Sequence, residues 1–121
     1  MSTPITEAEA VVMVALWEQA PRSTEDILAA VGPAQGWQLG TVKSLVNRLL
    51  NKQAISAEQD GRRYLYRPML SREDYISAES EGLLDRLFGG RVAPLVAHFS
   101  EHRRLSKKDV AELRKLLDEL D

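Results

Sequence analysis

Thr41-Val42-Lys43-Ser44-Leu45-Val46-Asn47-Arg48-Leu49, followed a few residues later by Asp60-Gly61-Arg62-Arg63-Tyr64-Leu65-Tyr66, is the stretch that decides how this chain folds. Val42, Leu45, Val46 and Leu49 fall at offsets 0, 3, 4 and 7, a single helical stripe, so a helix is expected over about residues 39–53. Its other face carries Thr41, Lys43, Ser44, Asn47, Arg48 and Asn51, which is polar and basic without one carboxylate. Residues 54–59 and 62–66 then read as two short strands. Asp60-Gly61 between them fits a two-residue type I′ turn, in which both central positions take positive φ. A basic helix followed by a tight, Arg-rich hairpin is the end of a winged helix, a helix-turn-helix with a β wing.

The residues before it supply the other two helices. Thr6-Glu7-Ala8-Glu9 has the form of a capping box, with Ile5 placed as a hydrophobic staple. The helix it starts runs to about residue 19, burying Val12 and Leu16, and Pro21 marks its exit. Ser23 or Thr24 caps a second helix with Ile27, Leu28 and Val31 inside, expected to stop at Gly32-Pro33. Trp17 and Trp37 read as packing residues, and Tyr64 and Tyr66, on one side of their strand, as the pair that seats it on the helices.

Downstream, Ser71-Arg72-Glu73-Asp74 caps a helix to about residue 88, closed by Gly89-Gly90. A helix over about 94–102 lines up Val92, Leu95, Val96 and Phe99, and a last one from Ser106 carries Val110, Leu113, Leu117 and Leu120, with Leu116 beside them. Three short amphipathic helices in about 50 residues enclose too little interior to stand alone. A second copy of the chain is the commonest partner, which makes Val110, Leu113, Leu117 and Leu120 the expected dimer interface. The expected fold is mainly α with a small β wing: an N-terminal winged helix-turn-helix over 1–70 and a C-terminal three-helix dimerisation region over 71–121.

Composition narrows the function. The 121 residues include 44% apolar and 28% charged residues, as in an ordinary globular protein, and no apolar run long enough to span a bilayer. The N-terminus lacks a secretory signal, so a cytoplasmic location without membrane attachment is expected. Net charge is −2, but its distribution is uneven. Residues 1–36 hold one basic and five acidic side chains, 37–70 six basic and two acidic, and 71–121 nine basic and eleven acidic. Positive charge thus gathers on the segment that holds the exposed helix face and the hairpin, the footprint of a DNA-binding module.

Without cysteine there is no disulfide or thiolate metal site. His98 and His102 share a helix face at i,i+4 spacing, but no further histidine completes a site, so no metal and no cofactor is expected. No nucleophile or acid–base constellation is identifiable, and an enzyme is not expected. Thr41, Lys43, Ser44, Asn47 and Arg48 carry the donors and acceptors that read base edges in a major groove, while Arg62 and Arg63 on the wing suit phosphates. The competing reading is a winged-helix module that docks only protein, kept in play by the acidic helices around the basic segment.

The chain also resembles a known family, the BlaI/MecI/CopY transcriptional repressors, over nearly its whole length. The resemblance rests on Ile5-Thr6-Glu7-Ala8-Glu9, Trp17, Trp37, Thr41-Val42, Leu45 and Arg48-Leu49. It continues through Gly61-Arg62-Arg63-Tyr64-Leu65-Tyr66-Arg67-Pro68, Phe88-Gly89-Gly90, Leu95-Val96, Phe99, Leu105-Ser106 and Glu112-Leu113. It implies a homodimeric repressor on a palindromic double-stranded operator, with the third helix in the major groove and the wing on the backbone. Gln38-Leu39-Gly40 stands where the family usually has Ser-Pro-Lys, and Gln53 where a glycine usually closes the recognition helix. The cysteine-rich copper motif of some members is missing. In the antibiotic-responsive members a protease linked to a sensor cuts an Asn-Phe bond to end repression. The matching pair here is His98-Phe99, which leaves that route open and would make such a protease a partner.

Overall fold

A computed structural model describes residues 4–120. The elements run α1 (Glu7–Glu18), α2 (Thr24–Gln35), α3 (Leu39–Asn51), β1 (Ile55–Asp60), β2 (Arg63–Pro68), α4 (Arg72–Leu87), α5 (Val92–Glu101) and α6 (Lys107–Asp118). The mainly helical fold with one β hairpin is the one the sequence predicts, and the order α1–α2–α3–β1–β2 is that of a winged helix-turn-helix.

Local chemistry sets the helix starts. Thr6 Oγ1 accepts from the Glu9 N–H at 3.2 Å while Glu9 Oε1 accepts from the Thr6 N–H at 2.9 Å, a complete capping box. Ser23 and Asp26 repeat it for α2, and Ser106 and Asp109 for α6. Val12, Met13 and Leu16 of α1, Ile27 of α2, and Val42, Leu45, Val46 and Leu49 of α3 are buried together with Ala54 and Ile55. Ile5, Trp17, Trp37 and Tyr66 pack against this cluster from outside. The Trp17 indole N–H also donates to Leu70 O at 2.9 Å, and its ring meets Tyr75 at 5.5 Å.

Three local expectations are corrected. α2 does not stop at Gly32-Pro33 but runs on to Gln35. Gly32 has no Cβ to meet the following proline ring, which eases the helical turn, although Pro33 still forfeits an N–H bond and crowds the carbonyl four residues back. The stop comes at Gly36, φ 70°, where the Trp37 N–H donates to Gly32 O at 3.0 Å, a Schellman closure.

The hairpin turns around Gly61-Arg62, not Asp60-Gly61. The strands pair antiparallel from Ile55↔Pro68 to Asp60↔Arg63. Only Gly61 of the two turn residues has positive φ (64°), the φ pattern of a type II′ turn, which wants glycine first. Arg62 therefore sits at the tip of the wing instead of opening its second strand.

Third, α3 ends at Asn51, and Gln53 takes φ 60° in the left-handed region while the Ala54 N–H donates back to Leu49 O at 2.9 Å. β2 gains a further partner, because Arg22 and Tyr66 exchange backbone bonds of 3.2 and 2.8 Å, fastening the wing to the α1–α2 connection.

One distant contact has no local signal. Lys52 Nζ, just past α3, donates to Glu9 Oε1 at 2.6 Å and to Pro4 O at 2.8 Å. The Glu9 side chain is 0% exposed and that of Lys52 18%. Burial pushes the Glu9 carboxyl up, but the Lys52 ammonium and the Thr6 backbone and hydroxyl bonds outweigh it, and Glu9 titrates below its ordinary value.

The chain divides into two compact units, one ending at Ile76 and the other beginning at Ser77, so α4 straddles the division. In the second unit Ser106 caps α6, Gly89 and Gly90 take φ 58° and 77° after α4, and no described residue is fully buried. Among the described residues no helix is long and apolar enough to cross a membrane.

Candidate nucleic-acid interface

The stripe that buries Val42, Leu45, Val46 and Leu49 turns Thr41, Lys43, Ser44, Asn47 and Arg48 to solvent, all exposed. α3 therefore presents a polar, basic face held rigid by its opposite side. Its N-terminus has no side-chain cap from Gln38, in keeping with the loss of the serine expected there.

The hairpin folds back beside this helix. Lys43, Val46 and Asn47 of α3, Arg62 and Arg63 of the wing, Tyr64 and Tyr66 of β2, and Thr24 and Glu25 at the start of α2 line one groove of 310 Å³. Four of the seven residues expected to touch DNA are thus gathered around a single concavity. Thr41, Ser44 and Arg48 lie on the same exposed face of α3 but outside the groove.

Charge in the groove is partly committed within the protein. Arg63 meets Asp60 Oδ2 at 3.4 Å, and outside the groove on the same hairpin Arg67 meets Glu58 Oε2 at 3.7 Å, both pairs well exposed and therefore weak. The side chains of Arg48 and Arg62 make no hydrogen bond or ion pair among the described residues. Asp26 is held below its ordinary range by the Ser23 backbone N–H and hydroxyl, with Arg63 and Arg22 adding to it. Burial pushes the Tyr66 phenol up.

Sequence reasoning missed Thr24, Glu25 and Tyr64 as part of this surface. Tyr66 packs inward as expected, whereas Tyr64 is 51% exposed and faces the groove. Thr24 and Glu25 follow the capping residue of α2, and in a helix-turn-helix the first helix crosses the DNA backbone; that placement was the available signal.

The remaining candidates lie in the second unit. Val110 and Leu113 are half-buried, while Leu117 and Leu120 are 64% and 78% exposed. His98 and Phe99 are exposed on α5 with their rings 5.6 Å apart, and His98 stacks on His102 at 4.4 Å. No group of three or more metal-ligating side chains occurs among the described residues.

A three-helix core carrying a basic, acid-free recognition face and a fastened wing defines a winged-helix protein. Residues 5–119 match the family model described as penicillinase repressor, and the chain belongs to that family of transcriptional repressors. The penicillinase repressor of Bacillus licheniformis is 29% identical over 115 residues, which are 95% of this chain and 90% of that protein. The solution structure of the DNA-binding domain of the repressor BlaI is 25% identical with a TM-score of 0.56, covering 62% of this chain and 92% of that one. Bacillus licheniformis BlaI, solved as a monomeric form in complex with the blaP half-operator, is 25% identical with a TM-score of 0.54 and the same coverage.

Proposed function

We propose that this protein is a DNA-binding transcriptional repressor without catalytic activity, acting in the cytoplasm as a homodimer on a palindromic operator. The observation that carries this reading is the convergence of α3 and the wing on one basic surface, Lys43 and Asn47 facing Arg62 and Arg63 across a single groove. A half-operator complex of a relative 25% identical and covering 62% of this chain supports it. Residues 1–70 form the DNA-binding domain. The α3 face of Thr41, Lys43, Ser44, Asn47 and Arg48 reads base edges, and Arg62 and Arg63 grip phosphates.

Residues 71–121 form the dimerisation domain, with Val110, Leu113, Leu117 and Leu120 in the interface. Dimerisation raises operator affinity because one bound half-site holds the second unit near the other. A single cut between His98 and Phe99, by a protease linked to a sensor, would break that linkage while leaving every DNA contact intact.

The test is a mobility-shift titration against the promoter DNA adjoining the gene in its host. Arg48→Ala should cost about 1–3 kcal/mol of affinity, whereas Arg63→Ala should weaken all DNA alike and flatten the salt slope by about one unit. Binding that ignores salt and both substitutions would falsify the DNA reading and leave the protein-docking module. Mass spectrometry of the chain in its host during derepression tests cleavage, which a full-length chain excludes.

A further inference from the structure

Glu25 stands among cations. Among the described residues lining the groove between α3 and the wing it is the one carboxylate, set against Lys43, Arg62 and Arg63. It sits in the first turn of α2, the positive end of a helix dipole, where a DNA phosphate would otherwise find a natural seat. The carboxylate is also tied down, because Thr24 Oγ1 donates to Glu25 Oε2 at 3.0 Å. Its own backbone N–H, the Thr24 hydroxyl and the charge of Lys43 all favour the ionised form, so a full negative charge faces the groove.

We infer that Glu25 weakens the grip of this groove on the DNA backbone, occupying with a built-in anion the helix end where a phosphate would bind. The inference rests on the DNA-binding reading above and adds a residue that limits affinity without reading sequence. A carboxylate beside a phosphate repels it, and in a solvated groove that repulsion amounts to a few-fold in affinity at low salt. Nonspecific association is almost wholly phosphate contact, so lowering it keeps the repressor from being held on random DNA.

The experiment compares the full-length parent, Glu25→Gln and Glu25→Asp by fluorescence anisotropy on two labelled DNA duplexes of unrelated sequence across a salt titration. Glu25→Gln should bind both about threefold or more tightly at low salt, with a salt slope steeper by up to about one unit. Glu25→Asp, which keeps the charge, should stay at the parent's value. A merely structural Glu25 gives the opposite sign, since losing an acid from the first turn loosens α2 and weakens binding. Equal or weaker binding by Glu25→Gln therefore overturns the inference while the DNA reading stands. A gain confined to one duplex overturns it too, because Glu25 would then be reading bases. If the parent shows no salt-dependent binding to either duplex, the DNA reading fails and this inference fails with it.

Discussion

Two stretches of this chain carry equally good helix signals and end differently. Up to Ile76 the capped helices α1 and α2 and the uncapped α3 close around a cluster of ten buried apolar side chains. From Ser77 onward, α5 and α6 have stripes as regular as that of α3, and Ser106 caps α6 as completely as Thr6 caps α1, yet no described residue is fully buried. Capping and periodicity make a helix possible, but helices of this length are marginal in water without a surface to pack on. The difference lies in whether the chain supplies that surface itself, as the hairpin and three helices do for each other in the first unit.

The largest expected effect tests this directly. Leu49, 0% exposed at the base of α3, should cost about 2–5 kcal/mol when changed to Ala, seen as a fall in the first unit's denaturation midpoint at any protein concentration. Leu113→Glu should leave that midpoint in place and convert the proposed dimer to monomer in sedimentation, with a steep loss of affinity for the proposed operator. A dimer that survives Leu113→Glu removes the α6 stripe from the interface and with it the proposed role of the second unit.

Most of the first unit's architecture could be read from residues a few positions apart. The Thr6-Glu9 box, the α3 stripe and the Arg-rich hairpin each announce themselves within about eight residues; the box and the stripe lie where the sequence puts them, and the hairpin forms with its turn one residue further on. What escaped depends on partners distant in sequence or on balances between neighbours. Glu9 reads as a capping residue and is one, but its second bond, to Lys52, spans 43 residues and no local pattern contains it. The sequence puts the α2 stop at Gly32-Pro33, but the preceding glycine removes only part of the steric penalty of Pro33, and the left-handed stop falls three residues later at Gly36. In the site, the α3 and wing residues were legible from charge, whereas Glu25 and Tyr64 enter the groove only through the packing of α2 and β2 beside α3.

The Glu9–Lys52 pair predicts a contribution to acid sensitivity in the first unit. All three ion pairs found among the described residues belong to the first unit, and this is the buried one. Because the folded-state pKa of Glu9 is depressed, its stabilisation is fully present above the ordinary value of 4.5 and is lost as pH falls through the lower folded value. Glu9→Gln should cost about 2–3 kcal/mol near neutral pH, somewhat below the figure for a fully buried pair because Lys52 keeps some contact with water. The variant should also show a flatter loss of stability in acid than the parent. Urea denaturation at a series of pH values checks both, and parallel acid profiles for parent and variant would show that this pair does not set the acid response.

The smallest effect compares the same backbone device in the two units. Each has one non-glycine residue in the left-handed region closing a helix: Gln53 at φ 60° after α3 and Arg103 at φ 55° after α5. In each case the next N–H reaches back five residues, Ala54 to Leu49 O at 2.9 Å and Arg104 to Phe99 O at 2.8 Å, the six-to-one bond of a Schellman stop. A side chain at positive φ costs about 1–2 kcal/mol against glycine, partly offset by the greater freedom glycine loses on folding. Gln53→Gly should therefore stabilise the first unit by about 0.5–1 kcal/mol, because Leu49 and Ala54 on either side of the turn are buried and hold it in that geometry. Scanning calorimetry should show this as a rise of a few degrees in the first unit's transition. Arg103→Gly should leave that transition unmoved and act only on the second unit, where the same strain is relieved but no buried side chain fixes the turn. Equal shifts of one common transition by the two variants would mean that the units melt together and that the second borrows its stability from the first instead of from a second copy.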